Sequence, residues 1–89
     1  MMMNEIWNTM KLHQGEEFHT IGNKHLPFTY QFVDENNITV SRTGEWIPKK
    51  SFEKVLEKQQ MGQTAAQINQ SVRASYYIIA IMEDRRISG

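Results

Sequence analysis

Residues 28–40 read Phe-Thr-Tyr-Gln-Phe-Val-Asp-Glu-Asn-Asn-Ile-Thr-Val, and this stretch decides the fold class. Aromatic residues occupy every second position over 28–33, and aliphatic residues alternate with polar ones over 38–41. A period of two is the spacing of side chains that share one face of a β-strand. The Asp/Asn-rich residues 34–37 between the two runs are typical of a turn. The stretch therefore predicts a β-hairpin whose aromatic face needs a cover.

Helical patterns lie on both sides of this hairpin. Residues 4–13 carry apolar side chains at helical spacing and predict an N-terminal helix, which is followed by a short strand over residues 17–21. Residues 48–61 begin with a proline, which suits the first position of a helix, and place Phe52 and Val55 on one face. We expect this second helix to cover the aromatic face of the hairpin.

The C-terminal third predicts two further helices. Residues 46–47 extend the sheet by one strand before the helical part of the chain begins. Thr64 is the expected N-cap of a short helix over residues 65–70, and Ser75 is the expected N-cap of a longer final helix over 75–86. Two helices joined by a tight connection are typical of a helix-turn-helix, whose second helix enters a DNA groove.

These patterns predict an α+β fold in a single small domain over residues 1–89. A small antiparallel sheet, consisting of the β-hairpin plus one strand, packs against helices, and a helix-turn-helix-like pair forms the C-terminal half. A chain of 89 residues is the right size for one domain.

Composition excludes several classes of protein. The chain has no cysteine, so disulfides and thiolate metal sites are excluded and a reducing compartment is indicated. The longest apolar run, residues 76–82, is far shorter than the roughly 20 residues that a membrane-spanning helix needs. The first residues lack the pattern of a secretion signal. We expect a cytoplasmic protein with no membrane partner.

Charge is unevenly distributed, although the formal net charge is zero. Residues 1–41 have two cations against five carboxylates, and residues 42–89 have eight cations against five carboxylates. This asymmetry is consistent with a C-terminal half that faces an anion such as duplex DNA.

The candidate nucleic-acid contacts are basic and aromatic residues of this half. On the final helix, an apolar side of Tyr77, Ile78, Ile81 and Met82 leaves Ser75, Tyr76, Ile79, Glu83 and Arg86 facing outward. The turn around Trp46 is basic, and basic residues beside an exposed Trp can hold a nucleic-acid backbone. The predicted contact residues, mostly directed at phosphates, are Arg42, Lys49, Lys50, Arg73, Tyr76 and Arg86.

Other interpretations of the same residues stay open. The final helix also suits the centre of a packed core, and Trp46 also suits a cap on the sheet with solvated basic neighbours. A protein-interaction module is the second functional hypothesis, either a homodimer or a bacterial or phage accessory protein that uses Tyr76 and Ile79 as an exposed apolar patch.

Catalytic and metal signals are weak. His13, His19 and His25 fall on a helix end, a strand and a turn, without the spacing of a zinc site. The sequence has no Gly-rich phosphate loop, no nucleophile elbow and no Cys nucleophile. We therefore expect no enzyme, no cofactor, no metal and no small-molecule substrate.

Two segments carry a resemblance to known proteins. Residues 38–56, Ile-Thr-Val-Ser-Arg-Thr-Gly-Glu-Trp-Ile-Pro-Lys-Lys-Ser-Phe-Glu-Lys-Val-Leu, resemble a strand–Arg–turn–Ile-Pro-Lys–helix segment of small bacterial and prophage proteins. Residues 75–87 are similar to the last helix of helix-turn-helix and winged-helix domains. The turn before that helix departs from the pattern, because residues 71–73 are Ser-Val-Arg where a glycine is usual. The resemblance implies DNA binding.

Overall fold

The predicted hairpin supplies two adjacent strands of a three-stranded antiparallel sheet. The structure, a computed structural model, describes residues 2–22 and 24–88. Its elements in chain order are α1 (Met3–Leu12), β1 (Phe18–His19), β2 (Pro27–Phe28), β3 (Tyr30–Asp34), β4 (Asn37–Val40), β5 (Trp46–Pro48), α2 (Lys49–Gln60), α3 (Ala65–Asn69), α4 (Ser75–Glu83) and α5 (Arg85–Ser88). The strand order β3-β4-β5 and the surrounding helices confirm the α+β class.

The two faces of this sheet differ sharply. Ile38 lies between Phe32 and Ile47 on the inner face, and Ile38 and Ile47 are buried. The neighbouring row, Gln31–Thr39–Trp46, lies on the outer face, where Gln31 and Trp46 are exposed. The two rows differ because successive side chains of a strand point to opposite sides.

A second, two-stranded sheet is a departure from the predicted single sheet. Phe28 pairs with Phe18 on β1, whereas Tyr30 pairs with Val40 on β4. The change of partner occurs at Thr29, whose N–H donates to Ser41 Oγ at 2.9 Å. The run of alternating aromatics is therefore shared between two sheets, which its period alone does not reveal.

The hairpin turn is tighter than the sequence predicts. Asp34 pairs with Asn37, which leaves only Glu35 and Asn36 as the turn, where four residues were expected. The Asp34 carboxylate accepts hydrogen bonds from the backbone N–H of Asn36 and the side-chain amide of Asn37, as in an Asx turn. Hydrogen bonding to Asn36 and then to Asn37 lowers the pKa of Asp34 below its ordinary value of 3.8.

Helix α1 is part of the cover over the aromatic face. The Trp7 ring lies edge-on to both Phe32 and Phe52, with centroids 5.0 and 5.2 Å apart. The Tyr30 hydroxyl donates to the Met10 carbonyl at 2.6 Å, and burial raises the pKa of Tyr30, so the hydroxyl keeps its proton. Helix α2 contributes Phe52 to this core, as predicted, and α1 shares the covering role.

The C-terminal helices follow the predicted order with two corrections. Thr64 caps α3 through a reciprocal pair of hydrogen bonds with Gln67, as expected of this residue type. Ser75 is not the N-cap of α4, because Ala74 holds that position and the Ser75 hydroxyl donates to Asn69 Oδ1 at 2.8 Å. The final helix also ends early, at Glu83, because Asp84 is extended. Arg86 consequently lies on α5.

No helix within the described ranges is both long and apolar enough to cross a membrane.

Candidate nucleic-acid interface

Helix α4 lies in the core and offers no free face to a DNA groove. Six of its nine residues are buried, including Ser75 and Ile79, which the sequence placed on the outward face. Ile79 is only 2% exposed. The prediction of that face is wrong because helix α4 is packed by neighbours on more than one side, among them α2, α3 and α5. A recognition helix needs base-reading side chains on a solvent-facing surface, and α4 lacks such a surface.

Arg86 is held by protein groups. Its guanidinium donates to both carboxylate oxygens of Asp84, at 2.9 and 3.0 Å, and to Glu16 Oε1 at 3.1 Å. A further hydrogen bond reaches the Glu17 carbonyl at 2.8 Å, and the guanidinium carbon lies 3.8 Å from the centroid of the Phe18 ring. We call this group of residues the Arg86 clamp. It joins α5 to the segment before and within β1.

The clamp shifts the ionisation of its members in the direction that favours charge. Hydrogen bonding from Arg86 lowers the pKa of Asp84 below its ordinary value of 3.8. A hydrogen bond with His13, assisted by Arg86, lowers the pKa of Glu16 below 4.5. The carboxylates, Asp84 first, in turn raise the pKa of Arg86. A guanidinium facing two carboxylates is poorly placed to attract a phosphate, so we leave Arg86 out of the proposed interface.

Arg73 has the opposite environment. It lies in the connection between α3 and α4, and its side chain is 85% exposed. It has one ion pair, from Nη2 to Glu45 Oε1 at 2.7 Å. Because Glu45 belongs to the β4–β5 turn, this pair joins the helical connection to the turn over residues 41–45.

Arg42 lies on the same turn. It is exposed and donates from Nη1 to the Pro27 carbonyl at 3.3 Å. The Glu45 pair with Arg73 therefore brings the two predicted arginines to one end of the molecule. Each guanidinium has five N–H donors and uses one of them in these contacts.

Trp46 directly follows the turn of Arg42, as the first residue of β5, and is 63% exposed. A hollow of about 150 Å³ at the β5 edge is lined by Trp46 together with Arg73, Ala74 and Ser51. The sequence left open whether this Trp caps the sheet. The structure places it on the outer face, away from the core, with its neighbours Thr39 and Gln31 also on that face.

Tyr76 lies at the start of α4 and is half-buried. It lines a largely apolar hollow of about 300 Å³ with Ile21, Lys24 and Leu26. Leu26 precedes Pro27, whose carbonyl accepts the hydrogen bond of Arg42, so two consecutive residues link this hollow to the arginine turn along the chain. Lys24 is exposed and adds a cation that the sequence patterns did not single out.

We call the surface formed by Lys24, Arg42, Trp46, Arg73 and Tyr76 the turn surface. It contains three cations and two aromatic rings, and Glu45 is the carboxylate that bridges it. Its residues come from three separated segments of the chain. Two contacts join these segments, namely the ion pair of Glu45 with Arg73 and the hydrogen bond from Arg42 to the Pro27 carbonyl.

Lys49 and Lys50 lie elsewhere. They follow Pro48 at the opposite end of β5 from the arginine turn, roughly 10 Å along the strand. Lys49 Nζ donates to Asn4 Oδ1 at 2.7 Å, whereas Lys50 is exposed and lines a hollow with Asn36. The six predicted contact residues thus divide into three groups: Arg42, Arg73 and Tyr76; Lys49 and Lys50; and Arg86.

The connection before α4 carries backbone strain. Ala74 has a φ of 62°, in the left-handed region that costs an L-residue roughly 1–2 kcal/mol. This conformation sets the direction in which the chain leaves Arg73 and enters α4. Residues 71–73 lack the glycine that is usual in this turn, but the position where a glycine would relieve the backbone strain is Ala74.

His13 follows α1, His19 lies on β1 and His25 lies between β1 and β2. His13 pairs with Glu16, and His19 lies 3.4 Å from a Glu17 carboxylate oxygen. Across residues 2–22 and 24–88, no group of three or more His, Asp or Glu side chains is arranged to hold a metal ion.

Comparison of the chain with protein-family models, with curated proteins and with solved structures found no match. The function is therefore inferred from the residues and their geometry alone.

Proposed function

We propose that this protein binds nucleic acid through the turn surface, by contacts directed mainly at phosphates, and that it is not an enzyme. The proposal is carried by an exposed Arg73 that lines a hollow with the exposed Trp46 and is ion-paired to the turn that bears the exposed Arg42. Cations hold the backbone of a nucleic acid, and an aromatic ring supplies a stacking surface.

The proposed contacts come mainly from turns and not from a recognition helix. Helix α4 contributes only its first turn, through Tyr76, because the rest of the helix is largely buried. Contacts to phosphates need exposed donors and no groove-filling element, so the turn surface meets this requirement. Binding of this kind carries little sequence information and depends strongly on salt.

Glu45 moderates the positive charge of this surface. Its carboxylate lies 2.7 Å from Arg73 and competes with a phosphate for the same guanidinium. An exposed ion pair is worth less than about 1 kcal/mol, so a phosphate can displace the carboxylate. Glu45→Gln removes the competing charge, and we expect this variant to bind nucleic acid more tightly than the wild type.

The direct test is a fluorescence-anisotropy titration of a labelled mixed-sequence duplex, and of one of its strands, at several salt concentrations. We expect micromolar binding at low salt, with log K falling by about 2–3 per unit of log salt. The variant Arg42→Ala/Arg73→Ala removes two phosphate contacts, so the affinity falls about tenfold and the salt slope becomes shallower by about 2.

A matched control removes the same charge from another surface. Lys54 and Lys58 lie on α2, outside the turn surface, so Lys54→Ala/Lys58→Ala should leave the salt slope nearly unchanged. If Lys49→Ala/Lys50→Ala lowers the affinity more than the double arginine variant does, the interface lies at the other end of β5. If neither the duplex nor the single strand binds at low salt, or if the affinity does not depend on salt, the proposal is overturned.

A protein-interaction module is the second candidate, and the exposure of Trp46 favours it as well. Tryptophan is enriched at the centres of protein interfaces, and β5 is an edge strand of its sheet. The patch expected from Tyr76 and Ile79 is not formed, because Ile79 is buried. Light scattering tests the homodimer form of this candidate, which requires a mass that rises with concentration and falls in Trp46→Ala.

A further inference from the structure

We infer that the turn surface takes an unpaired nucleotide, with its base stacked on Trp46, and that the protein therefore prefers single-stranded nucleic acid to a blunt duplex. The inference rests on the proposed function and specifies its ligand.

Trp46 lies on the outer face of the three-stranded sheet. The strand alternation that buries Ile47 turns Trp46 to the outer face, where Thr39 is its cross-strand neighbour and Gln31 follows in the same row. These two row neighbours are polar, and the indole beside them is exposed. Exposed aromatic rings on the open face of a small sheet are how several single-strand binders stack bases.

Trp7 and Trp46 differ in their exposure to solvent. Trp7 is 3% exposed and donates its indole N–H to the Glu35 carbonyl at 2.8 Å. The chain therefore has core positions that accommodate tryptophan, and Trp46 is not in one of them. A ring that is 63% exposed contributes little to the core and leaves much of its surface free for a ligand.

Cationic side chains near Trp46 complement the negative charge of a nucleotide. Arg73 lines the same hollow as Trp46, and its ion-pair partner Glu45 lines this hollow too. Arg42 lies four positions before Trp46 on the turn that leads into β5. A nucleotide stacked on the indole carries phosphates on both sides of its base, and the two guanidiniums offer donors for them. A duplex hides its base faces within the helical stack, so it engages the arginines without engaging Trp46.

Fluorescence tests the inference directly, because the two tryptophans report different places. Stacking of a base on Trp46 quenches an exposed indole, whereas Trp7 stays buried with its hydrogen bond. We expect a short unlabelled oligothymidine to quench the emission of the wild type and to leave that of Trp46→Phe, which retains only Trp7, unchanged.

The affinity comparison uses a labelled single strand of mixed sequence and the blunt duplex of the same sequence. We expect the single strand to bind roughly tenfold more tightly, and Trp46→Ala to remove about that tenfold advantage while changing duplex binding little. Trp46→Phe keeps a stacking ring and should retain most of the advantage. The control Met61→Ala removes an exposed apolar side chain beyond the end of α2 and should change neither affinity.

The outcomes separate the two proposals. Equal affinity for single strand and duplex, or single-strand binding that survives Trp46→Ala unchanged, overturns the inference and leaves phosphate-directed binding in place. Failure of both nucleic acids to bind at low salt overturns the proposed function and the inference together. A dimer that depends on Trp46, without nucleic-acid binding, assigns the ring to a protein interface and overturns both.

Discussion

Arg73 and Arg86 flank helix α4 in the sequence, yet they differ completely in environment. The Arg86 side chain is 33% exposed and donates to three different residues while it stacks on Phe18. The Arg73 side chain is 85% exposed and, within residues 2–22 and 24–88, is paired with Glu45 alone. The same residue type serves the fold at one end of the helix and remains accessible to a ligand at the other. The number and burial of acceptors around a guanidinium therefore decide its role.

The origin of the difference lies in the segments that pack nearby. Asp84 leaves α4 in an extended conformation and directs its carboxylate back to Arg86 two residues later. The segment 16–18 then supplies a carboxylate, a carbonyl and a ring. Around Arg73 the chain supplies a single carboxylate from a surface turn.

The strongest test of this comparison is Arg86→Ala. It leaves Asp84 without its main partner and removes the stacking on Phe18, so we expect unfolding free energy to fall by about 2–3 kcal/mol. Arg73→Ala is the matched control, and loss of its exposed pair should cost less than about 0.5 kcal/mol. Urea denaturation followed by Trp fluorescence measures both. Comparable destabilisation by the two substitutions would show that the exposed arginine also serves the fold.

Acid pH is a milder way to open the clamp. The folded-state pKa values of Asp84 and Glu16 are lowered, so their contribution to stability is complete above about pH 4.5 and is lost as the pH falls through the lowered values. We expect thermal stability to fall below that pH, and the fall to be smaller in Arg86→Ala.

Asp34 provides the control for the pH experiment. Its pKa is lowered by the hairpin turn and not by the clamp, so the acid response that remains in Arg86→Ala should shrink further in Arg86→Ala/Asp34→Asn. If the acid response is identical in the wild type and in Arg86→Ala, the Arg86 clamp does not contribute to the pH dependence of stability.

The smallest expected effect is on the Arg73 side of α4. Ala74→Gly relieves a left-handed conformation at φ 62°, and the added flexibility of the unfolded chain offsets part of the gain. We expect stabilisation of about 1 kcal/mol, measured by urea denaturation. Ala66→Gly, at an exposed site in helix α3, is the matched control and should destabilise by up to about 1 kcal/mol. Destabilisation by Ala74→Gly would indicate that the alanine side chain makes a packing contribution greater than its backbone strain.

Local patterns predicted most of the helices and strands. Alternation identified β3 and β4, helical spacing identified α1 and α2, and the cap at Thr64 identified the start of α3. The patterns did not predict the division of the aromatic run at Thr29 or the end of α4 at Glu83. The first involves a partner distant in sequence, the Ser41 hydroxyl, whereas the second coincides with the hydrogen bonds between Asp84 and Arg86.

The candidate site was predicted only as a set of residue types. Arg42, Arg73 and Tyr76 were singled out, but Lys49, Lys50 and Arg86 were grouped with them although they lie in other places. Lys24 gave no signal because an isolated lysine in a turn is common. Sequence proximity is a poor guide here, since the β4–β5 turn and the α3–α4 connection are distant in sequence and yet are joined by the ion pair of Glu45 and Arg73.

The sequence by itself determined the α+β class, the positions of most strands and helices and the absence of cysteine chemistry, because periodicity and composition are properties of short stretches. The tertiary structure decided that α4 is buried on most sides, that Arg86 faces two carboxylates, and that Trp46 lies exposed beside Arg73. Burial and charge pairing depend on which segments meet in space. For this chain, those two properties separate an arginine that stabilises the fold from one that is accessible to a phosphate.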